Sequence, residues 1–353
     1  MTELAAILAR QIRETGPITI SEYMTQCLQH PTHGYYTSRD PFGVSGDFTT
    51  APEISQMFGE LLGLAMAQAW LDRGSPSPFN LVELGPGRGT LMADMLRAGK
   101  QVPGFASAAE VHLVETSPAL RALQIKTIAR PVAHHEMLAD LPTGPLFLVA
   151  NEFFDALPIR QFLRDGDGWR ERVIGLDGDR LSFGLSDITH LNALESRLED
   201  TRDGDLVEYS PLGEMVAGEI GRRICRDGGV AMIADYGDWR SLGDTLQALQ
   251  DHKIEDTLKS PGAADVTAHV DFEAIAEAAS PARHSKLTPQ GIFLERLGIT
   301  KRAQTLANGL SGDALESHIA AHRRLTHPDE MGTLFKVIAI FGPDTPMPPG
   351  LSA

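Results

Sequence analysis

The chain has 353 residues, of which 47 are acidic and 31 basic, for a formal net charge of −16. This length suits two domains or one domain with a large insertion, and the acidic balance disfavours a nucleic-acid partner because phosphates bind Lys and Arg. Two cysteines, Cys27 and Cys225, exclude a disulfide framework and indicate a reducing compartment. With no secretory signal, no transit peptide and no apolar run of about 18 residues, we expect a cytoplasmic protein without stable membrane insertion.

The N-terminal 75 residues predict helices rather than a parallel sheet. Apolar spacing predicts one helix from Leu4 to Glu14, a second from Ser21 to just before Pro31, and a third from about Pro52 to Asp72. Residues 31–52 are rich in Gly, Pro, Thr and Asp and are predicted to form a loop, in which Gly43 to Glu53 is a candidate lid. We therefore expect residues 1–75 to form an N-terminal helical region with a lid loop.

The chain beyond this region alternates short apolar runs with helical segments, which predicts a parallel α/β sheet. The predicted strands are Phe79–Leu84, Val111–Val114, Leu146–Ala150, Val230–Ala234 and Leu334–Phe341, and the predicted helices include Thr90–Ala98 and Pro118–Ile128. Ligands of such sheets bind at the carboxyl ends of the strands. We assign residues 76–345 to this domain and expect the Pro-rich residues 346–353 to be frayed.

Two insertions interrupt the α/β pattern, at about 159–200 and 240–270. In the first, Asp-Gly-rich turns around Gly166 and Gly178 separate alternating runs, which predicts an antiparallel β meander. The second is predicted to be loop-rich and contains His252 and His269. Neither histidine has a metal-type partner at short spacing, so we predict no metal site.

The most informative segment is a glycine-rich turn between a predicted strand and a predicted helix. It has an acid, Glu83, followed by Gly85, Gly87 and Gly89. The dinucleotide fingerprint G-x-G-x-x-G fails because its third glycine would fall on Thr90, which disfavours an oxidoreductase. An acid beside the turn suits a ligand with a positive charge, such as the ammonium and sulfonium of S-adenosylmethionine.

A second acid, Glu115, ends the next predicted strand. A carboxylate at that position can accept two hydrogen bonds from a ribose diol. The alternative for the whole segment is a tight α/β turn that binds no ligand.

A polar cluster follows the strand Leu146–Ala150 and contains Asn151, Glu152 and Asp155. Carboxylates bind the planar fork of a guanidinium in paired hydrogen bonds, and one of them can take the proton that the attacking nitrogen must lose. Phe153 or Phe154 can wall such a pocket, and Asp235-Tyr236-Gly237 follows the next strand at the same edge. The alternative is that Glu152 caps the next helix and Asp155 pairs with a surface Arg.

Taken together, these segments resemble the S-adenosylmethionine-dependent methyltransferases of the MidA type, a family that includes a mitochondrial complex I assembly factor with protein arginine methyltransferase activity. The resembling stretches cover most of the chain in order and are ITISEYMTQCLQHPTHGYY (18–36), GDFTTAPEISQMFGE (46–60), VELGPGRGTLMADMLR (82–97), HLVETSPALR (112–121), ANEFFDALPIRQF (150–162), DYG (235–237), DTLQAL (244–249), TAHVDF (267–272) and LTPQGIFLERLG (287–298).

The resemblance implies a Rossmann-like, seven-stranded class I methyltransferase sheet with S-adenosyl-L-methionine as its cofactor. It implies donor contacts from Glu83, Gly85, Gly87, Gly89 and Glu115. The acceptor-binding and catalytic positions that it implies are Asn151, Glu152 and Asp155. It further implies symmetric dimethylation of an arginine on the 49 kDa-type subunit of respiratory complex I. The lack of a mitochondrial leader favours a bacterial, cytoplasmic relative.

Two other functions remain open from the residues alone. One is a methyltransferase for a small molecule, against which the long polar loop and the meander argue weakly. The other is a non-catalytic assembly chaperone that keeps the fold for binding, against which the intact glycines and acids argue.

Overall fold

The structure is a computed structural model that describes residues 2–38, 50–250 and 253–353. Its N-terminal elements are α1 (Glu3–Thr15), β1 (Ile18–Thr19), α2 (Ile20–Gln29), α3 (Tyr35–Ser38), α4 (Ala51–Ile54) and α5 (Gln56–Asp72). The first two predicted helices are confirmed as α1 and α2, each capped by a threonine side chain at its N-terminus. Most of the candidate lid, residues 43–49, lies outside the described residues.

Two details of this region differ from the prediction. The stretch 31–52, predicted to be a loop, contains the short helix α3 and the first residues of α4. The single helix predicted from Pro52 to Asp72 is two helices, because Ser55 has an extended backbone (φ −161°, ψ 136°). The Ser55 hydroxyl accepts a hydrogen bond from the Met57 N–H, so this serine ends α4 and caps α5.

The predicted parallel strands and helices follow with closely matching bounds. The predicted elements are β2 (Phe79–Leu84), α6 (Thr90–Gly99), β3 (Ala109–Val114), α8 (Pro118–Ile128) and β5 (Leu146–Asn151). The structure adds α7 (Phe105–Ala108), β4 (Ala133–His135) and a 3₁₀ turn at Leu138–Asp140, which were not predicted. Every residue of β2 and β5 is buried. Strands covered on both faces consist of continuous apolar runs, which explains why their bounds could be predicted.

The first insertion forms the predicted meander, in a larger sheet than expected. Its strands are β6 (Arg160–Asp165), β7 (Gly168–Asp177), β8 (Arg180–Thr189) and β9 (Leu206–Tyr209), with 3₁₀ turns at Asn192–Leu194 and Ser196–Leu198. The N-terminal β1 pairs antiparallel with β7, with Ile18 opposite Ile174. The meander is thus the scaffold on which the N-terminal region packs, since α1, α2, β1 and β7 share one apolar core.

The remaining helices and strands complete the main sheet and its cover. They are α9 (Pro211–Asp227), β10 (Gly229–Asp238), β11 (Gln247–Gln250), β12 (Lys253–Glu255), β13 (Asp265–Thr267), β14 (Val270–Asp271), α10 (Phe272–Ala278), β15 (Arg283–His284), β16 (Thr288–Pro289), α11 (Gln290–Leu297), α12 (Ile299–Ala307), α13 (Asp313–Thr326), α14 (Met331–Leu334) and β17 (Phe335–Phe341). The second insertion, predicted to be loop-rich, contains a three-stranded sheet in the order β12-β11-β13.

The main sheet runs in the order β15-β17-β10-β5-β2-β3-β4, which is a path of seven strands, and the short β14 and β16 bring its total to nine. Strands β3, β2, β5 and β10 are parallel, whereas β17 is antiparallel to β10. The chain leaves β2 toward β3 on one side and returns to β5 on the other. Parallel α/β sheets bind their ligands at such a reversal of strand order.

Apolar cores cover both faces of this sheet. Helices α5 and α6 contribute to one core, through residues such as Met66, Trp70 and Met95, and helices α9 and α10 contribute to the other. Helix α5 therefore packs with the sheet, although it lies within the predicted N-terminal region. No helix in the described ranges is long and apolar enough to cross a bilayer.

The C-terminal residues 346–353 are docked rather than frayed, which corrects the prediction. The Arg73 guanidinium donates to the Pro346 carbonyl at 3.0 Å, and the Lys286 N–H donates to the Ser352 carbonyl at 2.8 Å. Met347 and Leu351 pack against the core that α5 and α6 share. These contacts satisfy backbone groups that a free tail would leave to water.

Candidate active site

Four parallel strands end at one edge of the main sheet, and the predicted site residues follow them. Gly85 follows β2, Glu115 follows β3, Asn151 ends β5, and Asp235 lies in β10. In the ladders between these strands, Leu84 pairs with Ala150, and Asn151 pairs with Ala234. The structure thus brings the predicted donor and acceptor residues to the same edge.

The glycine-rich turn has a backbone that only glycine adopts readily. Gly85, Gly87 and Gly89 have φ values of 59°, 51° and 83°. A Cβ added at Gly85 would lie 3.0 Å from the Phe153 ring atom Cδ2. The turn that precedes α6 therefore touches the turn that follows β5, and the donor and acceptor halves of the candidate site are in direct contact.

Glu83 lies in β2 directly before the glycine-rich turn. It is 3 % exposed, and its Oε2 atom has no hydrogen-bond partner among the described residues. Burial raises the pKa of Glu83 well above its usual range, although a hydrogen bond from the Met92 N–H in the first turn of α6 opposes this. A buried carboxylate oxygen without a partner fits a cationic ligand group.

Glu115 is held in place by two donors. Its Oε1 accepts from the Ser117 N–H at 2.8 Å, and its Oε2 accepts from the Gln124 side chain at 3.2 Å. Burial raises the pKa of Glu115, and these two hydrogen bonds oppose the rise. Gln124 could not be predicted as a site residue, because it belongs to no motif and lies in a helix of ordinary composition.

Asn151 and Glu152 form the first part of the acidic cluster. The backbone of Glu152 has φ 52°, and its Oε1 accepts from the Asn151 side chain at 3.0 Å and from the Ala51 N–H at 3.2 Å. The Asn151 Oδ1 atom is buried without a partner in the described part of the chain. Burial, and then the neighbouring Asp155, raise the pKa of Glu152 to about 7.

The Ala51 contact bears on the capping role that the sequence left open for Glu152. Ala51 is the first residue of α4, so the Glu152 carboxylate caps a helix that lies before it in the chain and not the next one. The neighbouring Glu53 of α4 accepts from the Thr90 hydroxyl at 2.5 Å. Helix α4 therefore contacts both Glu152 and Thr90, the first residue of α6.

Asp155 completes the acidic cluster. It is 6 % exposed, its Oδ1 has no partner among the residues described, and no ion pair joins it to an arginine of that set. Burial raises the pKa of Asp155 to about 6, and a hydrogen bond from Tyr236 opposes the rise. The alternative in which Asp155 pairs with a surface Arg is therefore not observed.

Asp235 of β10 holds the backbone of the acidic cluster. Its Oδ2 accepts from the N–H groups of Phe153, Phe154 and Asp155 at 3.2, 3.0 and 3.3 Å. Its burial, together with Asp155 and Glu152, raises the pKa of Asp235 well above its usual range. Asp235 thus sets the conformation of the turn that presents Glu152 and Asp155.

The second insertion and the N-terminal region form a further wall of the site. The Tyr236 and Thr267 hydroxyl oxygens lie 2.6 Å apart, within hydrogen-bond distance, and the Tyr36 hydroxyl donates to Asp265 Oδ2 at 3.1 Å. Burial, and then the neighbouring Asp265 and Asp155, raise the pKa of Tyr36 well above its usual range. Neither Tyr36 nor Asp265 could be predicted as a site residue, because neither belongs to a local chemical pattern.

No group of three or more His, Cys, Asp or Glu side chains in the described ranges is arranged to hold a metal ion.

Residues 61–292 match the model of a family described as S-adenosyl-L-methionine-dependent methyltransferases. The chain belongs to this methyltransferase family.

Curated relatives carry a more specific name. The methyltransferase is 37 % identical to the mitochondrial protein arginine methyltransferase NDUFAF7 of Xenopus laevis, over 94 % of this chain and 82 % of the relative. It is 35 % identical to human NDUFAF7 over 96 % of this chain and 83 % of the relative. The Drosophila melanogaster homologue is 38 % identical over 96 % of this chain and 84 % of the relative.

Solved structures agree with this family. A Burkholderia thailandensis protein in complex with S-adenosyl-homocysteine superimposes on the methyltransferase with a TM-score of 0.84, 27 % identity and coverage of 98 % of this chain and 93 % of that one. A native crystal structure from the same organism superimposes with a TM-score of 0.80 and 28 % identity, and the match covers 99 % of this chain and 92 % of that one. The predicted class I methyltransferase fold and the cofactor S-adenosyl-L-methionine are thereby confirmed.

The residues present fit this cofactor on physical grounds. The unpartnered Glu83 oxygen suits its cationic groups, the positive φ values of the three glycines give a tight backbone turn at the start of α6, and Glu115 offers carboxylate oxygens to a ribose. The chemistry of these residues is therefore compatible with S-adenosyl-L-methionine.

Proposed function

We propose that this methyltransferase transfers a methyl group to a nitrogen of an arginine side chain in a protein. The observation that carries the proposal is the acidic cluster beside the glycine-rich turn. Asn151 Oδ1 and Asp155 Oδ1 are buried acceptor atoms without partners among the described residues, and Glu152 lies between them in sequence. A guanidinium supplies five donors in a planar fork and is the side chain that satisfies such a set of acceptors.

We assign donor binding to Glu83, Gly85, Gly87, Gly89 and Glu115. The bound cofactor supplies an electrophilic methyl group on its sulfonium. The glycines would bring the backbone close to it at the start of α6, and Glu115 would orient its ribose. The closeness of Gly85 and Phe153 supports the assignment, because a nitrogen held at the proposed acceptor turn would lie near a methyl group bound at the proposed donor turn.

We assign acceptor binding and proton removal to Glu152, Asp155 and Asn151. Glu152 and Asp155 orient the guanidinium and neutralise its charge. The attacking nitrogen loses a proton on methylation, and Glu152 is suited to take it because its pKa of about 7 lies near neutral pH. Asn151 steadies the Glu152 carboxylate through its 3.0 Å hydrogen bond.

For the physiological acceptor, we propose an arginine on the 49 kDa-type subunit of complex I, converted to symmetric dimethylarginine in support of complex assembly. The support is the resemblance to the complex I assembly family and the similarity to relatives named protein arginine methyltransferase NDUFAF7.

The test is to incubate the protein with labelled S-adenosylmethionine and the recombinant subunit, and to locate the methyl groups by mass spectrometry. We expect label on arginine as symmetric dimethylarginine. Label on a small molecule in a cell extract, with none on protein arginine, would contradict the acceptor assignment. Absence of cofactor binding in calorimetry would instead favour the non-catalytic chaperone.

Glu152→Gln is the sharpest variant for this assay. It keeps the shape of the side chain and removes the proton acceptor, so we expect retained cofactor binding and a loss of transfer of about 10²-fold or more. Glu219→Gln is the matched control, because Glu219 pairs with Arg222 and Arg223 on α9, away from the site. Equal turnover in both variants would remove Glu152 from the mechanism.

A further inference from the structure

Gln124 on α8 is a fully buried glutamine, with 0 % of its surface exposed, that no motif singles out. Its Nε2 donates to the Gly87 carbonyl at 2.7 Å and to Glu115 Oε2 at 3.2 Å. Its Oε1 lies 2.9 Å from His134 Nε2. One side chain thus joins the glycine-rich turn, the acid after β3 and the strand β4.

The chemistry of the amide leaves one arrangement for this network. Both partners of Nε2 are oxygen acceptors, so the amide nitrogen must face them and the amide oxygen must face His134. His134 then donates from Nε2, which leaves its Nδ1 as an acceptor in the neutral ring. The amide therefore fixes three groups at once and has no polar atom left for another role.

We propose that Gln124 is the positioning residue of the cofactor site, and that it sets the Glu115 carboxylate against the glycine-rich turn so that this carboxylate can discriminate a ribose diol. The proposal rests on the donor-binding role of Glu115 in the proposed function. The other donors to Glu115 are backbone groups, the Ser117 N–H on Oε1 and the Thr116 N–H, so Gln124 is its side-chain donor. Without Gln124, its Oε2 loses the donor that defines its direction, and Gly87 loses the donor on its carbonyl.

The test measures binding in the absence of any acceptor. Calorimetry compares S-adenosyl-homocysteine with its 2′-deoxy analogue on the wild type and on Gln124→Met, which keeps the volume and removes the amide. A hydrogen bond to a carboxylate is worth about 1.5–3 kcal/mol, so we expect the wild type to prefer the ribose ligand by about tenfold or more. In Gln124→Met we expect this preference to fall toward unity, with an overall loss of affinity for S-adenosyl-homocysteine of about tenfold.

Gln290→Met is the matched control. Gln290 of α11 is equally buried, at 0 % exposed, but its amide donates to the Leu325 carbonyl of α13 and to no residue of the glycine-rich turn. It should keep the wild-type preference for ribose, even if the fold is destabilised. A Gln124→Met variant with the wild-type preference would overturn the proposal, as would a wild type without any preference. Neither result depends on arginine methylation, so failure here and failure of the proposed function are separate outcomes.

Discussion

The raised pKa of Glu152 predicts that arginine binding releases protons and becomes tighter as the pH rises. With a pKa of about 7, about 9 % of Glu152 is ionised at pH 6 and about 91 % at pH 8. A guanidinium binds the ionised carboxylate, and it holds that carboxylate ionised in the complex. The affinity for an arginine peptide should therefore increase by about tenfold between pH 6 and pH 8.

The assay is calorimetry of an arginine peptide binding to the complex with S-adenosyl-homocysteine, in buffers that differ in their heat of ionisation. At pH 7, Glu152 is about half protonated before binding, so we expect about half a proton to be released per peptide. Asp155, with a pKa of about 6, adds about a tenth.

Two variants identify the source of the proton. Glu152→Gln should abolish most of the release at pH 7. Asp155→Asn removes the neighbouring carboxylate that raises the pKa of Glu152, so Glu152 should titrate at lower pH and the release at pH 7 should fall. The reasoning is refuted if the wild type binds with the same affinity at pH 6 and pH 8, or if Glu152→Gln releases as many protons as the wild type.

Three further predictions concern the glycine-rich turn, α4 and the C-terminal residues. Gly85 and Gly178 have nearly equal φ values, 59° and 60°, so replacing either with Ala should cost about 1–2 kcal/mol of unfolding free energy from backbone strain. Only Gly85→Ala should also weaken cofactor binding, because its Cβ would lie 3.0 Å from Phe153 in the candidate site, whereas the Cβ at Gly178 would meet no atom within 4 Å. Thr90→Val removes the hydroxyl that donates to Glu53 and should lower turnover severalfold with little change in the melting temperature. Deletion of 346–353 should lower the free energy of unfolding in denaturant titration by about 1–3 kcal/mol, whereas an unchanged value would mean that the tail is frayed as the sequence suggested.

The central strands could be predicted closely because burial on both faces leaves a continuous apolar run. Phe79–Leu84 is predicted and observed with the same bounds, and all its residues are buried. The meander was predictable for another reason, since Gly166 and Gly178 supply the positive φ of tight turns between alternating strands. The pairing of β1 with β7 was not predictable, because a two-residue strand has no periodicity.

The domain limits at residues 75 and 345 stay predictions, as does the assignment of individual site residues. The carboxyl-end rule located the glycines, Glu115 and the acidic cluster, because each follows a strand directly. Gln124, Tyr36 and Asp265 reach the site through tertiary packing instead. Their side chains contact it from a helix interior, from the N-terminal region and from a small inserted sheet, and no spacing in the sequence reports such contacts.

Helix α4 shows how donor and acceptor chemistry depend on a segment that is distant in sequence from both. Its Ala51 N–H donates a hydrogen bond to the Glu152 carboxylate, and its Glu53 carboxylate accepts one from the Thr90 hydroxyl at the start of α6. A shift of this single turn would therefore change both hydrogen bonds at once, the one at Glu152 and the one at Thr90 beside the glycine-rich turn. Since the Ala51 N–H stabilises ionised Glu152, the position of α4 also affects how readily that carboxylate holds a guanidinium. The N-terminal region is therefore part of the catalytic apparatus in this proposal, and not only a cover for the sheet.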